Sequence, residues 1–143
     1  MPHLVILYTG QLDAEVNMTT LCRQMADAML TVKDESGNQV FPTGGTRVLA
    51  YPAPHYAVAD GGAAGRDAGG SGDYAFVYLN VRMGRGRTEA TQQSAGRTLL
   101  KVAKAFFSPV MTQRHIGITL QIDVGPEVFD AKHSNLHPLF NKV

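Results

Sequence analysis

A chain of 143 residues, 44% hydrophobic and 17% charged, has enough apolar side chains to bury a core without disulfides or metal. Its 13 Lys and Arg against 12 Asp and Glu leave a formal net charge of +1, which excludes a disordered polyelectrolyte and argues against a non-specific nucleic-acid binder. No apolar run approaches the ~18 residues of a membrane span, and one cysteine, Cys22, makes neither an internal disulfide nor a zinc cluster.

Met1-Pro2-His3-Leu4 shows no basic segment, apolar stretch or cleavage site of a secretory leader, so a cytoplasmic protein is expected. Leu4-Val5-Ile6-Leu7-Tyr8 follows, apolar on both faces as a buried parallel strand is. Leu21, Met25, Ala28, Met29 and Val32 then recur at helical spacing, with Asn17, Thr19 and Thr20 as candidate N-caps. Ser36-Gly37-Asn38 reads as the end of that helix. Residues 47–58 are extended, and Pro52 and Pro54 confine them to an irregular or edge strand. The Gly-rich stretch 61–72 reads as a flexible linker, because it lacks the Gly-Lys-Ser/Thr ending of a phosphate-binding loop.

Residues 73–83 form a second clear strand. Ala75, Val77, Leu79, Val81 and Met83 share one face, and Tyr74, Phe76, Tyr78, Asn80 and Arg82 share the other. Gly84-Arg85-Gly86-Arg87 leads to Thr88, an N-cap candidate. The helix beyond it buries Ala95, Leu99, Val102, Ala103 and Phe106, and Pro109 is expected to stop it. In the last strand Ile116, Ile118, Leu120, Ile122 and Val124 face inward.

These elements predict an α+β fold of two βαβ units, one over about 2–58 and one over about 73–124, with a C-terminal segment 125–143 in the same domain. Right-handed crossovers place both helices on one face of a four-stranded sheet. No third helix remains for the face carrying Tyr74, Phe76 and Tyr78. That face either stacks a ligand or is covered by other subunits.

An RNA-binding module is one reading of this order, since spaced aromatics on a third strand stack bases. Tyr74-Ala75-Phe76-Val77 fits part of that pattern. Gly72-Asp73 and Leu79 stand where a basic lead and a closing aromatic belong, and a net charge of +1 offers phosphates little attraction. Proton transfer at an N-terminal proline is the other reading. Removal of Met1 leaves Pro2 with a free secondary amine, ordinarily titrating near 8 and lowered by burial and nearby cations into the range of a general base. Arg47, at the entry to the second strand, and Arg85 and Arg87, between a strand and a helix N-terminus, are candidates for binding carboxylates.

Six segments in order carry a more specific resemblance: Pro2-His3, Phe41-Pro42-Thr43-Gly44-Gly45-Thr46-Arg47, Ala59-Asp60-Gly61, Asp73-Tyr74-Ala75-Phe76-Val77, Gly84-Arg85-Gly86-Arg87-Thr88 with Gln92-Gln93 and Ala95-Gly96, and Asn135-Leu136-His137-Pro138-Leu139-Phe140. The sequence resembles the 5-carboxymethyl-2-hydroxymuconate isomerases of the tautomerase superfamily. The resemblance implies a homotrimer whose sheets enclose a barrel. It implies Pro2 as the proton-transferring amine, and Arg47 and Arg87 as the arginines that bind substrate carboxylates and offset enolate charge. The implied reaction is a cofactor-free 1,3-keto–enol shift on an unsaturated di- or tricarboxylate from aromatic catabolism. Leu49 stands where the family has a second arginine, Arg85 where it has a small residue, and the Gly-rich stretch is longer than the family's. These departures leave open another tautomerase activity on a different acid, or a non-catalytic trimeric binding protein.

Tyr8 is a further candidate for substrate binding, if the sheet brings it near Pro2. His133 and His137 have a helical metal spacing without a third ligand, and His137 reads as a packing or hydrogen-bonding residue. His3 points away from Pro2's face, and Cys22 reads as structural.

Overall fold

The computed structural model describes residues 2–140. Its strands are β1 (His3–Thr9), β2 (Arg47–Ala53), β3 (Ala75–Met83) and β4 (Ile116–Val124); its helices are α1 (Met18–Thr31), a short α2 (Ala63–Asp67) and α3 (Glu89–Met111). The sheet order is β2-β1-β3-β4. β1 runs parallel to β2 and antiparallel to β3, and β3 runs parallel to β4. Each parallel pair is one βαβ unit, and the β1–β3 pairing joins the two. No helix among the described residues is long and apolar enough to cross a membrane.

Alternation along the two central strands builds the core. Leu4, Ile6 and Tyr8 of β1 and Ala75, Val77, Leu79, Val81 and Met83 of β3 are buried against the helices. Leu21, Met25 and Met29 of α1 and Ala95, Leu99, Ala103 and Phe107 of α3 meet them. Burying each of the larger side chains is worth about 1.5–3 kcal/mol. Asn17 caps α1 by accepting the Thr20 N–H, and Thr88 caps α3 by accepting the Thr91 N–H. β2 is an edge strand, the position that Pro52 requires.

Several local expectations are corrected. α1 ends at Thr31, before the segment read as its stop. Val32 turns extended, Lys33 bridges to Gln39, and the Asp34 carboxylate accepts the Ser36 and Asn38 N–H groups. Ser36-Gly37-Asn38 is therefore a hairpin turn, with Gly37 at φ +80°. Pro109 does not stop α3, which runs on to Met111; a proline in the last turn disrupts little of the ladder behind it. Phe107, not Phe106, is the fully buried aromatic of that helix, and Val102 and Phe106 are only partly buried.

The Gly-rich stretch is folded, not a plain linker. The Asp60 carboxylate accepts the Gly62 and Ala64 N–H groups and initiates α2, and the Gly65 N–H donates to Tyr74 Oη at 2.8 Å. A Cβ on Gly62 would lie 1.7 Å from the Gly72 carbonyl oxygen, so only glycine fits there. Tyr74 thus precedes β3 and braces this loop instead of joining an aromatic stripe. On the open sheet face, Tyr78 Oη donates to Gln121 at 2.6 Å and Asn80 donates to Asp123 at 2.9 Å. That half of the face is a polar ladder, not a stacking platform. Leu7, Leu49 and Tyr51, each roughly half exposed, form the apolar part over β1 and β2.

Beyond β4 the chain has no regular element until a 3-10 turn, His137–Leu139, which packs on the 3-10 turn Thr43–Gly45 ahead of β2. Residues 141–143 of the C-terminal segment lie outside the described residues.

Candidate functional site

One end of the sheet gathers the starts of β1 and β2, the end of β3 and the entry to α3. Continuing the strand register by one residue sets Pro2 beside Thr46 on one side and Met83 on the other. Pro2 is buried, and alternation puts it on the helix-facing side with Leu4 and Ile6. Thr46 is fixed where it stands, because its N–H and hydroxyl both donate to the Pro42 carbonyl at 3.0 and 2.9 Å.

The β3–α3 connection supplies the cation at this end. Gly86 adopts φ +109°, a conformation glycine tolerates, and the half-buried Arg87 side chain turns back toward the sheet end. Its Nη2 donates to the Val40 carbonyl at 2.8 Å and its Nη1 to the Gly84 carbonyl at 3.2 Å. The guanidinium therefore ties together the connections of the two halves. Two of the five N–H groups a guanidinium carries make these bonds, and the others can face an anion. Arg85 is exposed on the same loop.

Arg47 reaches the same end on the other face. It pairs with His3, so its side chain leaves the sheet opposite to Pro2. It lines a cleft of ≈ 750 Å³ formed by Gly44, Thr46 and residues 131–136, a volume in the ordinary range for small-molecule sites. Lys132, paired with Asp130 at 2.7 Å, adds a second cation to that cleft. His137 holds the far wall in place: a Cβ on Gly44 would lie 2.9 Å from its Nδ1. His137 is thus a packing residue. His133 lies outside any helix, so the helical spacing of the two histidines does not apply. Among the described residues no group of three or more His, Cys, Asp or Glu is placed to hold a metal ion.

Tyr8 is not part of this site. It shares Pro2's face but lies six residues along β1, about 20 Å away at the opposite end of the sheet. Its hydroxyl donates to Asp13 Oδ1 at 2.6 Å, and burial, with Asp13, pushes its pKa up to about 12. Tyr8, Asp13, Glu15 and Cys22 line a separate cavity of ≈ 680 Å³ there. Burial raises the Cys22 thiol, which stays protonated at neutral pH and fits a structural role.

One participant has no signal in the sequence pattern. Glu35, on the 33–39 hairpin, accepts a hydrogen bond from the Thr88 hydroxyl, and this bond holds its carboxyl below the usual range. The segment reads as a helix stop, so nothing in it points to residue 88.

Known proteins share this fold. A family model described as 5-carboxymethyl-2-hydroxymuconate isomerase matches residues 2–140. An Escherichia coli 5-carboxymethyl-2-hydroxymuconate Delta-isomerase is 24% identical over 140 residues, covering 98% of this chain and 99% of its own. The crystal structure of a 5-carboxymethyl-2-hydroxymuconate delta-isomerase matches with a TM-score of 0.97 at 66% identity, over 100% of this chain and 95% of the other. That of a 5-carboxymethyl-2-hydroxymuconate isomerase from Deinococcus radiodurans R1 matches with a TM-score of 0.79 at 28% identity, over 99% and 95%.

Proposed function

The chain belongs to the 5-carboxymethyl-2-hydroxymuconate isomerase family and is an isomerase of the tautomerase superfamily, and on that premise we propose that Pro2, exposed as the N-terminal residue by removal of Met1, is its proton-transferring base. Met1 itself lies outside the described residues. The observation that carries this reading is the anchoring of the Arg87 guanidinium at the sheet end where Pro2 leads into β1.

A free α-amino group titrates at about 7.7–8.0, and both burial and a neighbouring guanidinium disfavour its charged form. The neutral nitrogen takes a proton from one position of the substrate's allylic system. The freed pair moves into conjugation and places negative charge on the carbonyl oxygen. The same nitrogen, now charged, returns a proton two atoms away, so no atom or electron is gained or lost. Arg87 faces the developing charge as a fixed donor, which costs no reorganisation during the step.

The substrate is an unsaturated di- or tricarboxylate of the 5-carboxymethyl-2-hydroxymuconate kind, from the breakdown of aromatic compounds. Arg47, Arg87 and, at the rim, Arg85 bind its carboxylates. The protein is a cytoplasmic homotrimer of one tautomerase-like domain per chain, and no cofactor, nucleic acid or membrane takes part. Exposed Leu7, Leu49 and Tyr51 support burial of the open face between subunits. Arg47 leaves the sheet opposite to Pro2, which supports its serving the Pro2 of a neighbouring subunit.

The test is ultraviolet ketonisation of a dienol tricarboxylate by protein whose intact mass confirms Pro2 as its first residue. Fast decay of the dienol band is expected, with a loss of about two orders of magnitude or more in Pro2→Ala. No acceleration over buffer, or unchanged turnover in Pro2→Ala, overturns the proline mechanism.

A further inference from the structure

The hairpin between α1 and β2 touches the Arg87 loop at two points. At its base, Val40 follows the returning strand, tied by its N–H to the Val32 carbonyl at 3.0 Å, and its own carbonyl accepts from Arg87 Nη2. At its turn, Glu35 accepts from the Thr88 hydroxyl, one residue beyond Arg87. The hairpin is stiffened internally by the Lys33–Gln39 bridge and by the Asp34 carboxylate, which accepts two turn N–H groups at 2.9 Å. One rigid unit therefore grips residues 87 and 88 together.

The direction of the Thr88 bond follows from Glu35, whose carboxylate only accepts. The Thr88 oxygen accepts the Thr91 N–H at 3.2 Å as the cap of α3 and lies 3.1 Å from the Thr91 hydroxyl, which can donate to it in turn. A carboxylate at this point also suits the positive end of a helix of 23 residues. Glu35 touches neither Pro2 nor the reacting atoms in this arrangement. Its effect on the reaction runs through the loop that carries the cation.

We infer that Glu35 is a positioning residue for substrate binding: through Thr88 it fixes the loop that presents Arg87 to a substrate carboxylate. This rests on the carboxylate-binding role proposed for Arg87. Removing the Glu35 side chain frees the turn of the hairpin from α3, and the Val40 carbonyl then no longer holds Arg87 in one geometry. A glutamine retains a carbonyl oxygen that accepts from Thr88, so Glu35→Gln restores what Glu35→Ala loses.

Two readouts test it. In steady-state ketonisation, Glu35→Ala is expected to raise KM for a polyanionic dienol about fivefold or more with kcat within about threefold, to leave KM for an uncharged enol unchanged, and Glu35→Gln to recover most of the difference. In proton–nitrogen spectra, the guanidinium Nε–H signal that vanishes in Arg87→Lys identifies Arg87. That signal is expected to be sharp in the unaltered protein and in Glu35→Gln, and broadened or lost in Glu35→Ala. An unchanged Arg87 signal in Glu35→Ala, or equal KM losses on charged and uncharged enols, overturns the inference. An inactive parent protein would refute the proposed function, yet the Arg87 signal would still decide the role of Glu35.

Discussion

Replacing Gly44 by alanine drives a methyl group into the contact that holds the C-terminal segment against the entry to β2. The added Cβ would meet His137 Nδ1 at 2.9 Å, His137 Cα at 3.1 Å and Phe140 Cδ2 at 3.2 Å. One of these atoms is backbone, so a rotamer change alone does not relieve the crowding. Overpacking of this kind costs about 1–3 kcal/mol. For a chain of this length that corresponds to a melting point lower by roughly 3–10 °C. Residues 131–136 form one wall of the cleft that Arg47 lines, so the same variant loosens that wall. Its KM for a polycarboxylate is expected to rise more than its kcat falls. The assay is calorimetric melting together with limited chymotrypsin digestion, read at the exposed Phe129. Gly69→Ala is the control: at φ +89° with nothing within 4 Å, its cost is backbone strain alone, about 1 kcal/mol, with no change in cleavage at Phe129. A Gly44→Ala protein that melts with the parent and is cut no faster refutes the packing argument.

Tyr8→Phe is expected to leave kcat and KM unchanged, because the residue lies at the opposite end of β1, and to cost about 1 kcal/mol in denaturant titration through loss of the hydrogen bond to the solvent-exposed Asp13. A folded pKa raised to about 12 stabilises fully below the unfolded value near 10 and is lost as pH rises through 12; a phenolate titration placing Tyr8 near 10 would contradict this. Arg87→Ala is expected to raise KM for acidic dienols at least about tenfold while sparing an uncharged enol, measured by the same ketonisation assay. Equal losses on both substrates would remove the carboxylate role.

The central architecture was legible because its signals are local. Alternation from Ala75 to Met83 defines a face, Asn17 and Thr88 cap their helices by their own chemistry, and Pro52 confines β2 to an edge. What was not legible depends on register and on partners distant in sequence. Tyr8 and Pro2 share a face, and six residues of strand rise alone set them about 20 Å apart, so that candidate fails on local geometry and not on register. The turn residues 36–38 end a helix as readily as they close a hairpin, and the Lys33–Gln39 bridge decides between the two. The glycine composition of 61–72 suggests freedom, whereas order there comes from Asp60 and from Tyr74 beyond the stretch. Pro2, as a candidate base, stands out by resemblance more than by pattern, since many chains begin with the same dipeptide and a strand can start on proline.

The position of β1 in the sheet bears on how the protein is made. β1 is flanked by two strands translated after it, so its edge toward β2 stays unpaired until residue 53 has emerged and its edge toward β3 until residue 83 has emerged. Pairings this distant in sequence form slowly, and until they form an apolar strand remains open to other chains. Pro2, beside Met83 in the sheet, therefore acquires its full surroundings only after more than half of this sequence has been synthesised. Replacements that weaken β3 should thus lower the yield of folded protein before they alter the rate constants of the molecules that do fold.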